Sequence, residues 1–309
     1  MRQKYRIGIS LSGFNPDGNL LLMLEKHGYE VINPAIKLRS AHDLAEMFSE
    51  CEVIIAGTEP LRELVSNSKH LKLILRAGIG TDNIPIDICL QRNIKWITCE
   101  SEIVDSVANY VLSQVLNISM GIYQNLINLN NSWRNSMGKG IQNTSIGIIG
   151  FGRIGGSVGL KLSHFKFQDI GAYDVSQNEF LVSKENLKIR QVDLDECLAN
   201  FNILTLHVPL NHSTKNLISY DQFKKMNSDT WIINTSRGEV INEEALIQAL
   251  ENKMIAGAIL DVFATEPYKG KLTDLPNAIL TPHIATFNLS TRKEVERNLV
   301  NIAVDFINS

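Results

Sequence analysis

The chain has 309 residues, 44% of them hydrophobic and 20% charged, with a formal net charge of -3. That length predicts two domains, each able to bury its own core. The slight acidic balance and the lack of any long one-sign charge run exclude a protein that holds nucleic acid or a membrane surface by electrostatic attraction.

The N-terminus, MRQKYRIGISLSG, carries basic residues but only a short apolar stretch interrupted by Ser and Gly. It reads as a first strand, YRIGISL (5–11), and not as a signal peptide. Pro16, Asp17 and Gly18 mark a turn, and LLLMLEKHG (20–28) reads as a helix ending at Gly28. YEVIN, CEVIIAG, LKLILRAG and IKWIT are further short apolar runs, separated by helical patterns such as AHDLAEMFSE (41–50). This alternation predicts βαβ units and a parallel sheet. Crossovers should be right-handed, with functional residues at the carboxyl ends of strands. Cys51, Cys89, Cys99 and Cys197 form no Cys-x-x-Cys pair and none lies at metal-ligand spacing from a histidine, so free thiols and no metal are expected. With no run of 18 apolar residues to cross a membrane, the expected location is the cytoplasm.

Residues 101–131 break the rhythm with one long helical stretch. Ile103, Val107, Tyr110, Val111 and Val115 recur at spacings of three and four, and Gly121 should bend or divide it. After WRNSMGKG (133–140) the βαβ rhythm restarts at Ser145. The first hundred or so residues therefore form one α/β unit and residues 145–285 a second. The tail, LSTRKEVERNLVNIAVDFINS (289–309), is amphipathic through Val295, Leu299, Ile302, Val304 and Phe306 and predicts a final helix, for which packing on the first unit is one placement.

The second unit opens with GFGRIG (150–155). A lone G-x-G-x-x-G is weak, because an ordinary buried turn also has this form. Here TSIGIIG supplies a strand before it and RIGGSVGLKLSHF a helix after it. QDIGAYD then gives a second strand ending in Asp174, nineteen residues past Gly155. That is the dinucleotide fingerprint. Gly150 allows the tight turn, Gly152 lets the backbone approach a pyrophosphate, and Gly155 lets the helix pack close to the strand. Arg153 and Ile154 present the first free N–H groups of the helix to the anion. Asp174 would hold the adenosine ribose hydroxyls and repel a 2′-phosphate, which favours NAD over NADP.

Three later stretches put polar groups at strand ends: Arg237 in WIINTSRGEVIN (231–242), Asp261 and Glu266 in MIAGAILDVFATEP (254–267), and His283 in NAILTPHIAT (277–286). Taken singly, Arg237 reads equally as a surface cation, Glu266-Pro267 as a turn, and His283 as an interior histidine. Together GFGRIG, NTSRGEVINEEAL, GAILDVFATEP and TPHIA, with RAGIGTDNI (76–84) in the first unit, resemble the D-isomer-specific 2-hydroxyacid dehydrogenases. RAGIGTDNI is most similar to their phosphoglycerate-dehydrogenase branch.

The resemblance implies two Rossmann-like or flavodoxin-like α/β domains with parallel sheets and an active site in the cleft between them. Residues 1–99 with 287–309 would form the substrate domain, and residues 100–286 the NAD-binding domain. This implies an oxidoreductase moving a hydride between NAD and C2 of a D-2-hydroxy acid. Arg237 would bind the substrate carboxylate and polarise the C2 oxygen. His283 would be the general acid or base, oriented by Glu266. Gly78, Ile79 and Gly80 would offer backbone N–H groups to the carboxylate. Val208, Thr235, Ser236 and Asp261 would be further cofactor contacts, Asp261 near the nicotinamide carboxamide, although it also reads as a structural acceptor. The partners implied are a small 2-hydroxy or 2-oxo acid and a second copy of the chain, as a homodimer, with no nucleic acid and no membrane.

The best substrate reading on this likeness is 3-phosphoglycerate, and the alternative is glyoxylate, hydroxypyruvate or another 2-oxo acid. Two departures bear on the choice. Several members of the phosphoglycerate branch carry an Arg after the third strand, whereas IIAGTEP has none before Arg62. Arg76, Arg62, Lys72 or Arg134 from a second copy are then the cations available to a phosphate. The chain also stops after its final helix, so no regulatory domain is expected. The rival from another class is an NAD-sensing corepressor-like binding protein, for which no DNA-binding motif or basic arm speaks.

Overall fold

The computed structural model describes residues 5–11, 14, 18–34, 40–129, 135–176 and 189–308. The MRQK start, Pro16 and Asp17 of the predicted turn, and Trp133 and Arg134 lie outside them. The chain forms two compact units, Met1–Ile103 with Asn288–Ser309, and Val104–Phe287.

In the first unit the described residues form a five-stranded parallel sheet in the order β2-β1-β3-β4-β5. The strands are β1 (Tyr5–Ile9), β2 (Tyr29–Ile32), β3 (Val53–Ala56), β4 (Leu73–Arg76) and β5 (Lys95–Thr98). VIIA and LILR, in the middle, are buried at every position, as a parallel strand covered on both faces requires. Phe48, Ile54, Leu64, Ile74 and Cys89 share one core cluster. The last helix, Leu289–Asn308, belongs to this unit, where the Tyr29 hydroxyl donates to the Ala303 carbonyl at 2.7 Å. The unit also keeps the first turn of the long helix Ser101–Ser119, where the Asn298 amide donates to Glu102 Oε1 at 3.4 Å. The division between the two compact units falls after Ile103.

The second unit holds β6 (Ser145–Ile149), β7 (Asp169–Tyr173), β8 (Arg190–Gln191), β9 (Ile203–Leu206), β10 (Trp231–Asn234), β11 (Gly257–Leu260) and β12 (Ala278–Leu280). Its order is β12-β11-β10-β9-β6-β7-β8, parallel throughout. The chain winds outward from β6 to β8, then returns past β6 and winds the other way. The reversal between β6 and β9 opens the crevice in which such sheets bind ligands.

The long helical stretch divides at Gly121, whose φ of 71° suits glycine and ends the helix before Ile122–Leu129. A Cβ there would lie 2.8 Å from the Gly138 backbone. Ile122, Leu126 and Leu129 leave an apolar face exposed on the second segment. Cys51, Cys89, Cys99 and Cys197 are buried free thiols, and burial pushes Cys51, Cys99 and Cys197 up to about 12, which makes them inert. Among the described residues no helix is long and apolar enough to cross a membrane.

Candidate active site

Register aligns the strand ends of the second unit. Tyr173 pairs with Ile149, Ile149 with Leu206, Leu206 with Asn234, Asn234 with Leu260, and Leu260 with Leu280. The next residue on each strand therefore falls in one row along the carboxyl edge: Asp174, Gly150, His207, Thr235, Asp261 and Thr281. Most of the polar groups singled out in the sequence lie in this row or within a few residues of it.

Gly150 turns with φ 91°, and a Cβ on it would lie 2.7 Å from the His207 backbone and 2.9 Å from Val208 Cγ1. Gly155 shows why the third glycine is needed, since its Cβ would sit 2.0 Å from the Gly150 carbonyl oxygen. Among the described residues beyond its chain neighbours, nothing lies within 4 Å of the corresponding point on Gly152, which leaves open space over the turn. The helix Arg153–Leu162 begins there without a side-chain cap, so its first N–H groups, those of Arg153, Ile154 and Gly155, lack acceptors within the helix. Val208 is half-buried beside the turn.

Asp174 braces this turn. Its Oδ2 accepts the Phe151 N–H at 2.7 Å, and its Oδ1 accepts the N–H and hydroxyl of Ser176 at 2.9 and 2.7 Å. Burial pushes the carboxyl upward, but these donors outweigh it and hold the group below the usual range. It is thus an anion beside the crevice. Asp174→Asn is expected to narrow the preference for NAD over NADP by about tenfold, the scale of one partly screened charge repulsion. Parallel kcat/KM measurements with both cofactors check this, and an unchanged ratio would remove Asp174 from cofactor selection.

The β10 turn is organised by Asn234, a residue the sequence reading passed over. It is 1% exposed. Its Oδ1 accepts the N–H and hydroxyl of Ser236 at 3.0 and 2.8 Å, and its Nδ2 donates to the Arg237 carbonyl at 2.9 Å. An Asn two residues before a Ser at a strand end is the signal of such an Asx turn. The Arg237 guanidinium donates to the Ser236 carbonyl at 2.8 Å. Among the described residues Thr235 Oγ1 is buried with no hydrogen-bond partner, a polar atom that a ligand would satisfy. Gly238 packs the turn against the segment leading to Glu266, since a Cβ there would lie 2.2 Å from the Phe263 backbone.

His283 Nδ1 lies 3.0 Å from Glu266 Oε2. A carboxylate only accepts, so Nδ1 carries the hydrogen and Nε2 is left for chemistry. Phe263 N–H donates to Glu266 Oε1 at 3.1 Å. Burial works to raise the Glu266 carboxyl. The bond and charge of His283, the Phe263 N–H and the Arg237 charge overcome it and hold the group below its ordinary value. Glu266 therefore sits in the field of both His283 and Arg237. His283 has a φ of 54°, in the left-handed region that non-glycine residues rarely occupy. Asp261 is 1% exposed. It accepts from Thr281 Oγ1 at 2.6 Å and from the Ile284 and Ala285 N–H groups at 2.8 Å each. Its carboxylate is thus turned onto the loop that carries His283.

In the first unit, Gly78, Ile79 and Gly80 follow β4. Arg76 is 6% exposed beneath them, donating from Nε to Asn83 Oδ1 at 3.2 Å and from Nη1 to the Ala77 carbonyl at 2.8 Å. A Cβ on Gly78 would lie 2.4 Å from that guanidinium. Asn83 Nδ2 donates to the Gly57 and Glu59 carbonyls at 3.1 and 2.8 Å, tying the β3 and β4 loops together.

These features fit a dinucleotide on the second unit: open space over Gly152, an uncapped helix start, an orphan hydroxyl at Thr235 and an anion on the neighbouring strand. The family model described as the NAD-binding domain of D-isomer-specific 2-hydroxyacid dehydrogenases matches residues 112–285. A hydroxypyruvate reductase of Thermotoga maritima is 31% identical, the match covering 90% of this chain and 91% of the reductase. A D-3-phosphoglycerate dehydrogenase of Archaeoglobus fulgidus is 33% identical, over 84% of this chain and 49% of its own. In fold, the chain is similar to the NAD-dependent formate dehydrogenase of Staphylococcus aureus, with a TM-score of 0.82 at 24% identity over 98% of this chain and 96% of that one.

Proposed function

The chain belongs to the D-isomer-specific 2-hydroxyacid dehydrogenases, NAD-dependent enzymes, and from that premise we propose that it interconverts a short, unphosphorylated D-2-hydroxy acid and its 2-oxo acid. The observation that carries the chemistry is the 3.0 Å contact between His283 and Glu266, on strand ends adjoining the Arg237 turn. The nicotinamide cofactor, when bound, would supply the hydride as NADH in reduction and take it up as NAD+ in oxidation. Arg237 holds the substrate carboxylate with its planar fork and draws electron density toward the C2 oxygen. In reduction His283 gives the Nε2 proton to the C2 oxygen, and in oxidation it takes that proton back. Glu266 keeps the ring oriented and stabilises its charged form. The ribose, pyrophosphate and nicotinamide contacts fall to Asp174, to Gly150–Gly155, and to Val208, Thr235 and Ser236. The exposed apolar face of Ile122–Leu129 supports a homodimer.

Charge placement favours the unphosphorylated acid over 3-phosphoglycerate. At the carboxyl edge of the five-stranded sheet, Arg62 is paired with Asp87 at 3.2 Å and Arg76 is buried in its bonds to Asn83 and Ala77. Lys72 precedes β4, at the opposite edge. A carboxylate, Glu59, follows β3 instead, its Oε1 accepting the Gly57 N–H at 2.7 Å. The deciding assay is NADH oxidation with glyoxylate, hydroxypyruvate and 3-phosphohydroxypyruvate. The expected result is a kcat/KM for hydroxypyruvate at least about tenfold above that of its phosphate ester, the cost of an uncompensated charge. The reverse order would assign the chain to 3-phosphoglycerate. No turnover of any 2-oxo acid would leave an NAD-sensing binding protein.

A further inference from the structure

The long helix Ser101–Ser119 runs beside the loop carrying His283, and two of its side chains reach that loop. Ser106 Oγ donates to the Ala285 carbonyl at 2.8 Å. The Tyr110 hydroxyl lies 2.7 Å from Thr281 Oγ1, which is itself 2.6 Å from Asp261 Oδ1. A threonine hydroxyl has one hydrogen, and a carboxylate only accepts. The Thr281 hydrogen is therefore committed to Asp261, and Tyr110 must donate to Thr281. This sets one direction along the chain, from tyrosine to threonine to aspartate. Burial pushes the Tyr110 hydroxyl up to about 12, against the opposing effect of its bond to Thr281, so it remains a donor at neutral pH. Asp261 ends the chain by accepting the Ile284 and Ala285 amides, the two that follow His283. Holding both amides on one carboxylate fixes the backbone just past the residue with the left-handed φ of 54°.

We propose that Tyr110 is a positioning residue for His283, acting through Thr281 and Asp261 on the backbone of residues 284 and 285. The catalytic consequence rests on the acid–base role proposed for His283; the structural one does not. Without the tyrosine hydrogen, the Thr281 hydroxyl is free to turn to another acceptor and Asp261 loses its side-chain donor. The loop then loosens where small misplacements of a catalytic group are costly in rate.

Tyr110→Phe and Thr281→Val each delete one hydroxyl while keeping shape. The measurements are kcat and KM for NADH oxidation with the best 2-oxo acid, and deuterium exchange at the Ile284 and Ala285 amides. Each single variant is expected to lower kcat about tenfold with the KM for NADH unchanged, and to speed exchange at both amides about tenfold. Thr281→Ser should restore both readouts. Because the two hydroxyls act in series, the double variant should be no worse than Thr281→Val alone. Unchanged exchange in Tyr110→Phe, or losses that multiply in the double, would overturn the inference. Failure of the acid–base reading shows separately, as a His283→Ala enzyme that keeps its rate while exchange still reports on the relay.

Discussion

Replacing His283 with alanine is expected to lower kcat for 2-oxo acid reduction by about 10²–10⁴-fold, the range of a lost general acid. The pH profile should change with it. On the proposed mechanism reduction uses a proton held by His283 and oxidation returns it, so in the intact enzyme reduction should slow and oxidation quicken with rising pH. Both slopes should vanish in the variant wherever chemistry limits the rate. Glu266 does not blur this assignment. Its carboxyl is held below the ordinary value, so its contribution to the folded site is complete above that ordinary value and is lost only as pH falls through the lower one. Glu266 therefore adds only an acid limb, below the ordinary carboxylate value. A His283→Ala enzyme that keeps both its pH slopes and most of its rate would end the acid–base assignment.

Arg237→Ala should cost about as much, through a different parameter. Hydrogen bonds to charged groups contribute about 1.5–3 kcal/mol each, and a fork makes two. At about 1.4 kcal/mol per decade, kcat/KM should fall by roughly 10²–10⁴-fold. Lysine at this position keeps the charge and loses the fork, so Arg237→Lys should fall between the two. How the loss divides is informative. A rise in KM alone would mean that the guanidinium only anchors the carboxylate. A fall in kcat as well would mean that it also stabilises charge developing on the C2 oxygen. An Arg237→Ala enzyme with wild-type kcat/KM would remove the residue from the site.

The placement of much of this candidate site was legible in the sequence because its residues follow strand ends, and strand ends are marked by apolar runs that stop abruptly. Arg237 comes three residues after Asn234, and His283 three after Leu280. A period-2 or all-apolar reading therefore locates both. Gly150 and Gly155 were legible for the same reason, and their close contacts with His207 and with each other give the spacing its physical cause. Tyr110 was not legible as anything but a core position. Its place in a three-and-four stripe is that of a buried helix face, and its partner Thr281 is 171 residues away. Asp261 was visible as a strand-end acid, yet the direction in which its oxygens point depends on the path of residues 281–285, which no local pattern encodes. Asn234 left a signal, an Asn two residues ahead of a Ser, that the stronger Arg237 motif overshadowed. The substrate question stayed open for a related reason. It turns on whether a cation is already paired, as Arg62 is with Asp87 across 25 residues, and pairing is a property of packing.

His283 adopts a backbone angle of 54° that glycine reaches freely and other residues reach at roughly 1–2 kcal/mol. Thermostability engineering guided by melting temperature alone would therefore favour glycine here and remove the proposed proton donor in the same step. The position is a place where robustness and turnover compete within one residue, and a library screened for either trait alone would report the opposite optimum.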